Sequence, residues 1–125
     1  MTRCFALASL LLAPSLVLAQ AHRPFTADTL RGTLQFGQPP EVRLNGQPQR
    51  LSPGSRIQGA NGMGAMSGEL MGQTHLVHYT LQSDGQIKDV WILNAVERTN
   101  ALWPVSPAQA AQWRFDVATQ TWHRP

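Results

Sequence analysis

The sequence predicts a mainly β domain: an OB-like or SH3-like barrel of about five short strands, then a short C-terminal helix and a tail that can close as a small hairpin. Three observations carry this expectation. Short apolar segments with period-two alternation fill residues 30–97, each bounded by Gly, Pro, Asn or Asp. No helical pattern alternates with them, which removes the βαβ architectures. Without a predicted 21-residue leader, the 125-residue chain keeps 104 residues, enough for one core and too few for two. Closure into a barrel suits short strands because it removes exposed edges.

Residues 1–21 read as a signal peptide. Arg3 supplies the positive end, residues 5–19 are apolar, and Ala19-Gln20-Ala21 is a small-x-small cleavage pattern. The apolar run holds Pro14 and falls short of the roughly twenty residues of a spanning helix. The mature chain is therefore expected to start at His22, in the periplasm or outside the cell. Cys4, the one cysteine, leaves with the leader, so neither a disulfide nor a thiol nucleophile is expected. Removal of Arg3 leaves nine basic residues against seven acidic ones, a net charge of +2 with histidines neutral. With no basic run among them, nucleic acid is not an expected partner. Residues 22–29 are expected to be a flexible N-terminal segment.

Within residues 30–97 the elements follow in order. Leu30, Leu34 and Phe36 alternate in the first strand, which Pro39-Pro40 stops. Val42 and Leu44 alternate in the second, and Asn45-Gly46 offers the two positive-φ residues of a tight hairpin. Pro48 places the returning strand at an edge or a bulge. Ser52-Pro53-Gly54 predicts a type II turn, with Arg56 and Ile57 restarting an extended segment. Residues 59–72 carry five glycines and three methionines, and residues 67–71 are the best strand inside them. Residues 74–81 and 86–93 form the clearest hairpin, with Asp84-Gly85 as a two-residue type I′ turn. Facing residues then sum to 169, pairing Tyr79 with Val90, Val77 with Ile92, His78 with Trp91 and Leu76 with Leu93. Val77, Tyr79, Leu81, Val90 and Ile92 share one face, taken as the core. Leu76, His78, Trp91 and Leu93 share the other, which needs cover.

Residues 98–125 are the expected cover. Ser106-Pro107-Ala108-Gln109 combines an N-cap serine, a proline at the first helical position and a glutamine at the third. Trp113-Arg114-Phe115 and Thr121-Trp122-His123 then suit a small aromatic hairpin packed on the barrel.

The motifs Glu-Val-Arg-Leu-Asn-Gly, Leu-Ser-Pro-Gly-Ser-Arg-Ile, Ser-Gly-Glu-Leu-Met-Gly and Asp-Val-Trp-Ile-Leu, between Pro40 and Glu97, resemble uncharacterised exported proteobacterial proteins with a small β domain. The resemblance covers about half the chain. It implies a small exported domain of loosely OB-like form and brings no catalytic residues with it.

No stretch matches a catalytic motif. Nucleophilic chemistry needs an activated serine or cysteine, and no serine lies in a strand-to-helix elbow. Asp84 is needed by its turn, and Asp89 faces Thr80 as a solvated strand residue. Residues 59–72 lack the Gly-Lys-Ser/Thr ending of a phosphate loop. The leading expectation is thus a non-enzymatic exported domain without a cofactor, binding an envelope protein or polymer. Its surface would be Trp91, Trp103, Trp113 and Trp122, or the glycine-rich loop. The competing expectation is a copper carrier, because soft thioether and imidazole ligands select Cu(I). Met63, Met66 and His78 are its candidate ligands, with His22 adding a free amine and imidazole after cleavage. Small periplasmic copper and silver carriers with an OB barrel are similar in composition and compartment. His75 and His78 lie three apart in a strand, so they point to opposite faces and cannot share an ion.

Overall fold

The computed structural model describes residues 21–125. The predicted leader, apart from Ala21, lies outside the described residues. Five strands close into a barrel. β1 (Leu30–Phe36) runs antiparallel to β2 (Glu41–Leu44) and to β5 (Thr74–Leu81). β2 pairs antiparallel with β3 (Gln47–Gln58), β3 lies parallel to β6 (Ile87–Ile92), and β6 returns antiparallel to β5. The circuit β1-β2-β3-β6-β5-β1, with its single parallel contact, has the connectivity of an OB-type barrel and decides between the two barrels the sequence allowed.

The turns explain both the agreement and the departures. Asn45 and Gly46 take φ of 52° and 80°, and the β2–β3 hairpin closes in the predicted place. Ser52-Pro53-Gly54 does not reverse the chain. β3 continues through it and bends from its pairing with β2 to its pairing with β6, across a register shift between Leu51 and Arg56. Gly54, at φ 78°, supplies the conformation this bulge needs, and Pro53 sits where the ladder is interrupted. The strand expected at residues 67–71 is instead a 3-10 turn, Ser67–Leu70, after a two-residue strand β4 (Gly64–Ala65) on the end of β3. Leu70 is the residue this turn packs on the barrel core, and one inward side chain does not require a strand.

The β5–β6 register is as predicted for Val77, His78 and Tyr79 against Ile92, Trp91 and Val90. The loop is longer than expected. Gln82 N bonds to Gln86 O at 2.8 Å and Gly85 N to Gln82 O at 2.9 Å, so Ser83, Asp84 and Gly85 form a three-residue connection with Gly85 alone at positive φ. That loop pairs Leu81 with Ile87, one residue out of step. Opposite Thr80, both Lys88 and Asp89 are accommodated, and this bulge restores the register. Asp89 N donates to Thr80 Oγ1 at 3.3 Å, which holds the irregularity.

Two cores result. The barrel interior buries Leu30, Leu34, Phe36, Val42, Leu51 and Ile57 with Val77, Tyr79, Ile87, Val90 and Ile92. On the outer face of β5 and β6, Leu93 is buried with Phe25, Trp103 and Trp122, and Leu76, Trp91, Trp113 and Phe115 pack against them. The cover is the predicted one. α2 (Pro107–Gln112) starts at Ser106, whose Oγ accepts from Gln109 N at 3.2 Å, and β7 (Arg114–Asp116) pairs with β8 (Thr121–His123). α1 (Ala95–Thr99) was not anticipated, although Asn94 and Glu97 form a capping box at its start. The N-terminal segment, expected to be flexible, is docked. Phe25 is buried in the second core, and the Gln120 amide brackets its backbone, accepting from Phe25 N at 2.9 Å and donating to Phe25 O at 3.1 Å.

Candidate functional site

The densest polar chemistry lies around α1. Glu97 has no exposed surface, and its carboxylate accepts from Arg23 N, Nε and Nη2 at 2.9, 2.9 and 2.7 Å and from Asn94 N at 3.0 Å. Burial pushes the Glu97 pKa up, but the hydrogen bonds from Arg23 and Asn94 and the Arg23 charge outweigh it and hold the carboxyl below its ordinary value. Arg23 spends its other donors on Gly59 O and Ile92 O. At the far end of α1, Arg31 Nη2 and Nη1 donate to Glu97 O and Asn100 O at 3.1 and 2.7 Å, satisfying helix-end carbonyls. Burial lowers the Arg31 pKa, and the Glu97 charge opposes this.

His78 belongs to the same knot. Its Nε2 accepts from Arg31 Nε at 3.1 Å, so Nδ1 carries the ring proton, buried and without a hydrogen-bond partner. The ring sits 4.2 Å from Trp103 and 4.3 Å from Phe25 between centroids. Burial, then the charges of Arg31, His22 and Arg23, lower its pKa to about 2. His78 is therefore a neutral core residue with no lone pair to offer. His22 is also engaged, with Nδ1 2.8 Å from Arg23 O, Nε2 3.2 Å from Asn100 Nδ2 and its ring against Phe25 and Trp103. The metal set Met63, Met66, His78 and His22 is corrected accordingly: the two histidines are consumed in the second core, while both methionines stand in solvent on the loop around β4.

The tryptophan surface needs the same correction. Trp103 and Trp122 are only 3% and 4% exposed, because these large rings fill the second core. Trp103 Nε1 donates to Thr29 O at 2.9 Å, and Trp122 stacks on Phe115 at 4.7 Å. Trp91 and Trp113 are half-buried against them. None of the four stands clear as a docking side chain.

Of the predicted site residues, the two methionines remain well exposed, with Met71, on the loop between β3 and β5. Met63, Met66 and Met71 are 68%, 70% and 52% exposed. Met63 and His75 line one groove of about 550 Å³, together with Glu69 and Gln73 above a floor that includes Leu70 and Ile92. Met66 lines a second of about 410 Å³, beside Arg56 and Ile57. His75 is half-buried on β5, and its Nε2 lies 2.8 Å from Gln73 Oε1. Among the described residues, no three His, Cys, Asp or Glu side chains cluster for a metal. The sequence contained the loop's methionines and His75, but its spacing led to His78 because Trp91 faces it.

Together these features define a single OB-type barrel with an aromatic annex and a loop, residues 59–72, that carries three exposed methionines. No protein-family model, curated protein or solved structure matches the chain.

Proposed function

We propose that this protein is an exported, non-enzymatic binding module that docks an envelope protein through the loop of residues 59–72. The observation that carries this reading is the exposure of Met63, Met66 and Met71 on one glycine-rich loop flanked by two grooves. Methionine is unbranched and polarizable, so exposed methionines form adaptable apolar contact surfaces. A protein partner fits better than an anionic polymer, since the one charged residue of the loop, Glu69, is itself acidic. The predicted leader supports a partner in the envelope. Glu97 and His78, the buried carboxylate and imidazole, are engaged by Arg23 and Arg31 in holding α1 and the second core. A photoreactive amino acid placed at Met63 or Met66 in living cells is expected to cross-link one envelope protein, and the same residue at Lys88 none. Products that are equal at Lys88, or absent at both methionines, contradict the proposal.

A further inference from the structure

Apart from Met1, every methionine of the chain falls in one nine-residue stretch, Met63-x2-Met66-x4-Met71, and His75 follows at the start of β5. Methionine ordinarily goes inside proteins as a gap-filler. Here both cores are complete without it, and all three thioethers face solvent. The imidazole beside them is suited to ligation. Because the Gln73 side-chain oxygen can only accept, the neutral tautomer of His75 that matches this contact has its proton on Nε2 and its lone pair on Nδ1. A ring nitrogen fixed by an outer partner while the other stays open is the usual arrangement of a metal-binding histidine.

We infer that Met63 and His75, which line the same groove between β4 and β5, bind a soft monovalent cation there, Cu(I) or Ag(I). Thioether sulfur and neutral imidazole favour such ions, whereas Ca²⁺ and Mg²⁺ require several oxygens and the groove offers one carboxylate, Glu69. Gly62 and Gly72, at φ of 79° and 83°, permit the turns that hold the methionine-bearing loop beside β5. Binding is ligand exchange without a change in oxidation state, so no oxidant or reductant takes part. The inference is independent of the docking reading, since the ion requires no partner protein.

The test is titration of the purified protein with Ag(I), and with Cu(I) under a competing chelator without oxygen. One ion per chain is expected, and Met63→Leu and His75→Gln should each weaken binding at least tenfold with unchanged circular dichroism. His123→Gln, on the exposed end of β8, should leave the affinity unaltered. No retained ion, equal affinity in the Met63 and His75 variants, or tighter binding of Zn(II) than of Ag(I) each overturns the inference.

Discussion

His78 is the residue whose environment departs most from its ordinary one, and its consequence is a pH dependence of stability. Folded, it stays neutral down to about pH 2, while in the unfolded chain it titrates near 6.5. Below that upper value the unfolded state takes up a proton that the folded state refuses, so this contribution is present above pH 6.5 and is lost as the pH falls. For one proton the slope approaches 1.4 kcal/mol per pH unit. Urea unfolding at pH 7, 6 and 5 should show this decline, and His78→Gln, which keeps an acceptor for Arg31, should flatten it. Glu97 acts in the same direction at lower pH: its carboxyl titrates below the ordinary 4.5, so its contribution is complete above that value and lost on further acidification. Only part of this chemistry was legible in the chain. Asn94-x-x-Glu97 is readable as a capping box, but the Glu97 partner Arg23 lies 74 residues away, and no local pattern links the two. The tryptophans were legible as a group and not as core residues, because an aromatic ring is buried or exposed according to what packs on it.

At the scale of elements, the N-terminal segment and the aromatic tail behave as one unit. Phe25 meets His78, Trp91 and Trp103 edge-on, at 4.3, 5.4 and 5.8 Å between centroids, and its backbone is bracketed by Gln120. Phe25→Ala should therefore cost about 3–5 kcal/mol through the cavity left in the second core. Chemical denaturation measures the loss, and a red shift of tryptophan emission reports the water admitted to Trp103; a cost under about 1 kcal/mol is incompatible with this docking. The flexible segment expected from the sequence failed for a definite reason. Residues 22–29 show no periodicity, and their anchors are single side chains meeting elements far along the chain. Turn-bounded strands fared better, since Asn45-Gly46 and Gly85 encode their own backbone geometry. Even so, whether Ser52-Pro53-Gly54 reverses or merely bends the chain was decided by two different neighbours for β3.

For the whole molecule, the buried cores and the exposed methionines are separated in space. The barrel and its aromatic annex contain the buried residues, whereas Met63, Met66 and Met71 project from the loop that joins β3 to β5. Replacing all three methionines by serine should leave stability within about 1.5 kcal/mol, as expected of three surface substitutions. Thermal unfolding checks this, and a larger loss would mean that the loop is part of the fold. The sequence by itself determined β1, β2, β5 and β6, the β5–β6 register from Val77 to Tyr79 and the two-faced character of that hairpin, because alternation and turn chemistry are local properties. Tertiary structure decided the parallel closure of β3 on β6, the burial of Trp103 and Trp122, and the choice of His75 over His78 as the accessible histidine. Each of these depends on which distant surfaces meet, and a distance through space is not written in the spacing of residues along a chain.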